Sequence, residues 1–450
     1  MKIGLIAMSG VRAYNEELLR FGLTLPGFVE RSKVIASLPS LSLLTLAALT
    51  APEVQVEYWE IKDLIDQDGL PTDFDLVAIS SFSAQIYDAY QIADRCRKRG
   101  IAVVMGGLHV TSLPEEAREH CTSIVVGEGE ELWPVVVEDF LNDRLQDSYV
   151  QPPGHTFELA NSPIPRYELL EVSKYNRLTV QTSRGCPHRC DFCASSILLT
   201  SKYCVKPVHK VIAEIRKIKE IWKQPFIEFA DDNSFVLRHH YKELLRQLVG
   251  ERISWFTEAD ISIAEDRDLL HLMRESGCRQ VLIGLESPRG AGLDGIELKR
   301  NWKLKKQPDY EAAIKIIQSH GITVNGCFIL GLDGDTEEVF DSIYRFVERT
   351  GLYDVQITVL TPFPGTPLYD RFKREGRILE DQAWHKCTLF DVNYYPKLMT
   401  VETLEKGLVD LAKKIYATSF IRERRKRFFR ILRQEGLMLA AQADFQKEGT

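Results

Sequence analysis

Two regions of this chain repeat one pattern: a short apolar run that stops at glycine, serine or an acid, a longer amphipathic segment, and another short apolar run. In the first region the strand-like runs are "KIGLIAM", "VQVEYWEI", "DLVAIS", "AVVMGG" and "SIVVGEGE". Helical stretches such as "SLLTLAAL", "YDAYQIADRCRKRG", "PEEAREH" and "ELWPVVVEDFL" separate them. Runs that are apolar throughout must be covered on both faces, and helices between them do this when the strands lie parallel. Residues 1–145 are therefore expected to form a doubly wound, Rossmann-like α/β domain. In the second region six strands are expected, at "LTVQTS", "PFIEFADD", "ISWFTEA", "RQVLIGLES", "ITVNGCFIL" and "YDVQITVL". Strand–helix units repeated at this length make a partial parallel (β/α)6 barrel over residues 178–370. Proline-rich "QPPGHTF" and "NSPIPRYELL" mark 146–177 as a linker, and 371–450 read as a mostly helical extension. At 450 residues the chain exceeds one core of usual size, which agrees with this division.

Parallel sheets bind ligands beyond the carboxyl ends of their strands. In the first region those positions are Ser80 and Ser81, Gly106 and Gly107 with His109 following, and Gly127, Glu128 and Gly129. Glycine there lets a flat, bulky ligand approach the backbone. The competing readings are a tight turn for each Gly-Gly and a satisfied structural imidazole for His109. No G-x-G-x-x-G follows the first strand, so a dinucleotide is not the expected ligand.

Charge and composition exclude other classes. A net charge of -7 over this length argues against a general nucleic-acid binder. The apolar stretch "SLLTLAALT" is far shorter than the roughly 20 residues a bilayer span needs. "MKIGLIAMSG" reads as a strand and not as a signal peptide, so a cytoplasmic location is expected. Nine cysteines in such a chain point to thiols, metals or catalysis before disulfides.

Three of the nine crowd into "SRGCPHRCDFC", at Cys186, Cys190 and Cys193. Thiolates spaced by four and three on a loop rich in Gly, Pro and polar residues can wrap one iron–sulfur cube. A zinc site would want four ligands, typically as two separated pairs. Cys204 could supply a fourth but has no partner cysteine near it, so zinc and a chance cluster stay as alternatives. Three protein ligands leave one iron of a 4Fe-4S cluster open to another molecule.

The C-x-x-x-C-x-x-C spacing, with an aromatic at Phe192, resembles the signature of the radical S-adenosylmethionine enzymes, and the likeness extends from about Tyr175 to Tyr369. It implies that the three cysteines hold a 4Fe-4S cluster and that S-adenosylmethionine chelates the open iron. Asp231 or Asp232 in "FADDN" would stand where the family holds the amino group, in place of the Gly-Gly-Glu found elsewhere in the superfamily. Glu258, Glu286 and Ser287 would bind the ribose or methionyl end, and "GCFILGLDGDT" and "LTPFPGTPLYD" resemble segments that support the adenine. Taken singly, each carboxylate could equally be a surface or capping acid. Burying the cluster under Phe192 and the nucleotide disfavours its more negative reduced state, which makes the electron more reducing.

The N-terminal region, with "SSFS", "GGLHVTSLPEEA" and "VVGEGEELW" ahead of a radical domain, resembles the cobalamin-binding domain of the cobalamin-dependent branch. The D-x-H-x-x-G motif is absent, so no histidine is expected beneath the cobalt. The likeness implies methyl transfer to an unactivated carbon. Alternatives are a cobalamin-associated radical cyclase, rearrangement or oxidation enzyme and, more distantly, a non-catalytic metal-binding module. The C-terminal region resembles that of radical enzymes acting on hopanoids, related lipids or tetrapyrroles, which implies a small-molecule, lipid-like or tetrapyrrole-like substrate. A low-potential donor such as a flavodoxin or ferredoxin is the implied partner. "FIRERRKRFFRILR", Phe420 to Arg433, reads as a helix for an anionic membrane surface or as a docked helix with a solvated basic face.

Overall fold

The computed structural model describes residues 1–9, 13–15, 17–18, 38–61, 73–198 and 202–437. The chain divides into two compact units: Met1–Pro225 with Thr361–Tyr394, and Phe226–Leu360 with Tyr395–Thr450.

Unit one is built on six strands: β1 Lys2–Met8, β2 Gln55–Ile61, β3 Leu76–Ser80, β4 Ala102–Gly106, β5 Ser123–Val126 and β6 Ser148–Val150. They lie in the order β2-β1-β3-β4-β5-β6, every pairing parallel. Alternation along β1 shows why both faces need cover: Ile3, Leu5 and Ala7 join one apolar cluster, whereas Ile6 and Met8 join the other. Helices Leu41–Leu49 and Leu132–Leu141 cover the first face. The former starts where Ser40 Oγ accepts from the amide of Leu43, a side-chain N-cap. Helix Ile86–Lys98 covers the other face, joined there by Tyr369, Trp384 and Cys387 from the returning segment 361–394. Strand order reverses between β1 and β3, where doubly wound sheets open a ligand crevice.

The expected strands and helices of the first region all form, and the doubly wound class stands. Strand β6 was not expected, nor was the ribbon strand at Cys204–Val205. β6 lies inside the proline-rich stretch read as a linker and escaped notice because three residues carry too little alternation to read. The rest of that stretch is a wrap of short helical turns, pinned where the buried Tyr167 donates its hydroxyl to Thr179 O at 2.8 Å. Unit one continues through β7 Leu178–Val180 and the ribbon β8 Ser183–Arg184 with β9 Cys204–Val205.

Unit two carries the other five expected strands: β10 Phe226–Ser234, β11 Ser254–Ala259, β12 Cys278–Glu286, β13 Thr323–Leu330 and β14 Asp354–Val359. They are parallel and in sequence order, as a barrel wall requires. Thr257, Val281 and Val324 align on one face and pack toward the helices, where Phe328 meets Phe346 edge-on at 5.8 Å. The opposite face is polar: Glu258, Leu282 and Asn325 align in one row, Gly284, Cys327 and Gln356 in the next. A barrel wall with a polar inner face is built to surround a ligand as well as a core.

Helix Thr418–Gln434 contains the basic run. Its apolar side is occupied within the protein, with Phe428 and Leu432 fully buried beside Tyr353. Arg424 is buried as well, its guanidinium donating to Leu352 O and Ile415 O at 3.2 Å each. Among the described residues no helix is long and apolar enough to cross a membrane.

Candidate cofactor sites

The carboxyl edge of the first sheet is lined with small, partly buried residues, Ser80, Gly106, Gly107, Gly127 and Gly129 among them. Ser81 is buried with its hydroxyl donating to Phe82 O at 2.9 Å, and the Phe82 ring stands out at 62% exposure. Gly107, at φ 102°, lies where a Cβ would come within 3.4 Å of Ser80 Oγ. Gly127, at φ 95°, has no room for a side chain, since a Cβ would sit 2.6 Å from Gln151 Oε1.

The polar side chains of this edge turn inward. His109 is 1% exposed, with Nδ1 3.0 Å from Ser83 Oγ and Nε2 3.2 Å from Glu116 Oε1. Glu116 also accepts from Tyr90 Oη and from Trp384 Nε1, both at 2.9 Å. Burial pushes the Glu116 carboxyl up, but the hydrogen bonds from His109, Trp384 and Tyr90 outweigh it and hold the group below its ordinary value. Both ring nitrogens of His109 are thus engaged inside the fold, the structural role weighed for it above. Glu128 is engaged too: Oε1 accepts from Arg184 Nη1 at 2.5 Å, and Oε2 from Gln151 Nε2 and the Phe157 amide at 2.7 Å each.

Arg184 ends β8, two residues before Cys186. The thiol loop is braced on both flanks. On one, β8 pairs with β9, Arg184 lies opposite Cys204, and Arg184 Nη2 reaches Glu130 at 2.6 Å. On the other, Asp191 accepts from the Leu368 amide at 3.0 Å and from Arg371 Nη2 at 3.2 Å. Between them the chain turns at Gly185, φ 90°, and the Cys193 amide closes a turn onto Cys190 O at 3.2 Å. Helix Ala194–Leu198, directly after Cys193, packs on Leu108–Ser112, the helix that follows Gly107. The fold therefore brings the cysteine loop to the glycine loops of the first sheet within one compact unit. Cys204 follows helix Ala194–Leu198 and lies in the ribbon strand opposite Arg184.

The donor set fits a cluster. Cys186, Cys190 and Cys193 are all thiols outside any disulfide, Cys190 buried and the other two partly so, with Phe192 partly buried between them. Among the described residues no three His, Cys, Asp or Glu side chains close on the position of a single metal ion.

In unit two the predicted acids come close enough to act on one another, and of them Glu286 alone is a strand-end residue. Asp231 and Asp232 lie within β10, where residues 230–233 stand opposite Glu258 alone on β11, a bulge that re-aims side chains. Asp231 Oδ2 accepts from Ser234 Oγ at 2.7 Å and Tyr241 Oη at 3.0 Å. Glu258 lies inside β11. Burial first, then the neighbouring Glu228, Asp232, Asp231 and Glu286, push its carboxyl up to about 8. Glu286 takes the left-handed conformation, φ 59°, at a second register shift on β12. Its carboxylate accepts from Lys303 Nζ at 2.7 Å. Gly284 makes room for that pair, since a Cβ there would meet Glu286 Oε1 at 2.5 Å and Lys303 Nζ at 3.1 Å. Ser287 is fully buried, and its hydroxyl and Asp335 Oδ1 both face Gly292, whose missing Cβ would lie 2.9 and 2.8 Å from them. Asp335 Oδ2 accepts the Gly331 and Leu332 amides at 3.1 Å, while burial lifts its carboxyl to about 7.

Sequence reasoning missed Arg184, Glu116, Glu228 and Lys303. Arg184 stands inside the quoted cysteine motif and could have been marked by that. Lys303 lies among exposed basic residues, and nothing local shows that it alone turns inward.

Comparison with known proteins agrees with this arrangement. The radical SAM superfamily model matches residues 180–347, the B12 binding domain model residues 63–137, and a domain of unknown function (DUF4070) residues 366–447. Bacteriochlorophyllide d C-12(1)-methyltransferase of Chlorobaculum tepidum is 29% identical over 402 residues, 85% of this chain and 84% of that protein. Hopanoid C-2 methylase of Rhodopseudomonas palustris is 29% identical over 365 residues, 77% of this chain and 67% of that protein. The solved structure of the radical S-adenosylmethionine methyltransferase TsrM from Kitasatospora setae superposes with a TM-score of 0.65 at 17% identity, over 83% of this chain and 76% of that one, and so shares the fold. Matches to a B12 binding domain and then to a radical SAM domain, in that order along one chain, make this a cobalamin-type radical S-adenosylmethionine enzyme, with a 4Fe-4S cluster, S-adenosylmethionine and cobalamin as its cofactors.

Proposed function

We propose that this enzyme methylates an unactivated carbon of a hydrophobic small molecule of the tetrapyrrole or polycyclic lipid class. The observation that carries the reading is the joining, within one unit, of the thiol loop to the glycine loops of the B12-binding domain. When bound, the cluster, S-adenosylmethionine and cobalamin together supply a hydrogen-abstracting 5'-deoxyadenosyl radical and a transferable methyl group.

The chain's own residues do the rest. Cys186, Cys190 and Cys193 hold the cluster, and Phe192 shields it from water. Asp231 or Asp232 receives the amino group of the nucleotide. Glu258, with its raised pKa, keeps its proton near neutrality and donates to a hydroxyl, while Glu286 and Ser287 orient the ribose or methionyl end. Ser80, Ser81, Gly106, Gly107, Gly127 and Gly129 present backbone to the corrin. His109 and Glu128 set the shape of those loops and do not touch the cobalt. A low-potential flavodoxin or ferredoxin in the cytoplasm delivers the electron. Contact with an anionic membrane surface would rest on the exposed arginines and lysines of helix Thr418–Gln434 alone, because its apolar side faces Tyr353.

Methyl-labelled S-adenosylmethionine tests the reading: S-adenosylhomocysteine and 5'-deoxyadenosine should both form in step with a labelled product. Product forming with 5'-deoxyadenosine alone would establish the cyclase, rearrangement or oxidation alternative. Anaerobic reconstitution that yields bound zinc and no iron would leave a non-catalytic metal-binding module.

A further inference from the structure

We propose that Arg184 couples occupancy of the corrinoid loop to the reduction potential of the iron–sulfur cluster. The inference rests on the cofactor assignments above. Its basis is an ion triad inside unit one: the Arg184 guanidinium reaches Glu128 at 2.5 Å through Nη1 and Glu130 at 2.6 Å through Nη2, with Gln181 Oε1 accepting from Nη2 at 2.9 Å. The side chains are 13%, 2% and 13% exposed, so water screens these charges little.

Both ends of the triad are held. Arg184 is fixed by the β8–β9 ribbon and lies two residues from Cys186. Glu128 is fixed by Gln151 Nε2 and the Phe157 amide, and it flanks Gly129 together with Glu130 on the loop assigned to the corrinoid. A ligand settling on Gly127–Gly129 therefore bears on two carboxylates whose shared cation sits at the root of the thiol loop.

Two carboxylates on one guanidinium leave an excess negative charge beside that loop. Negative charge near a cluster disfavours adding an electron and lowers its potential. Outer partners of metal ligands tune metal centres in this way. Arginine suits the task because its planar fork bonds both carboxylates at once, which the point charge of lysine cannot do.

The test is an EPR-monitored redox titration of the anaerobically assembled protein, with and without hydroxocobalamin. Wild type should show a midpoint that moves on corrinoid binding. Glu130→Gln, with the cluster intact, should have a raised midpoint that no longer responds to the corrinoid. If Glu130→Gln fails to assemble its cluster, Arg184→Lys enters the same titration and should also lose the response. An unresponsive wild type, or a variant midpoint that still follows corrinoid binding as in wild type, overturns the proposal. A wild-type protein that takes up no cluster or no corrinoid refutes the functional reading itself, and the titration separates the two failures.

Discussion

Lys303 donates to Glu286 across 2.7 Å and to Gly284 O across 2.8 Å, while its own amide donates to Glu297 at 2.9 Å. The pair is almost dry, with the two side chains 11% and 9% exposed. A cation from an outer helix thus fixes the left-handed residue at the end of β12 and supplies one positive charge to an inner face otherwise lined with acids.

Lys303→Met should leave a buried carboxylate unpaired and destabilise the apo protein by about 3 kcal/mol. Urea unfolding measures this. The double variant Lys303→Met with Glu286→Gln should lose less than the sum of the two single changes, because the stranded charge is gone.

The pH dependence of the apo protein reports on Glu258. Its folded carboxyl is raised to about 8, above that of the unfolded chain. The folded state therefore holds a proton that the unfolded state releases, and the stability this brings is present at low pH and lost as pH rises through about 8. Glu258→Gln should flatten the fall in thermal midpoint toward pH 8 without matching loss at acid pH.

Glu116 titrates in the opposite sense. Its folded carboxyl lies below the ordinary value, so its contribution is present above the unfolded pKa and disappears as pH falls through the folded one. Glu116→Gln should cost about 1 kcal/mol at neutral pH, as for a charged hydrogen-bonding group that is partly exposed. The fluorescence of Trp384, whose indole loses its ionised acceptor, should shift in the variant.

Cys190→Ala should abolish 5'-deoxyadenosine formation from S-adenosylmethionine. The cores on the two faces of the first sheet do not include Cys190, so corrinoid uptake should persist. Retained cleavage of the nucleotide would overturn the ligand assignment.

What local sequence could decide, it decided. The hydrophobic runs give the strands, and the helices between them give the parallel sense, because a helical crossover returns each strand in the same direction and covers the sheet. The C-x-x-x-C-x-x-C spacing is enough to propose the cluster ligands, because three donors within eight residues need no distant partner. The short edge strand β6 escaped, since three residues carry too little pattern. Tertiary structure alone decided which distant side chains meet. Arg184 meets Glu128 only when a ribbon and a strand-end loop 56 residues apart in sequence are folded together. Residues 230–233 stand opposite Glu258 only because β10 bulges, and Lys303 differs from the exposed lysines around it only by which way its helix turns. Long-range pairings of charge cost desolvation and return it only at short distance. Such contacts are fixed by packing, and packing cannot be read from one segment at a time.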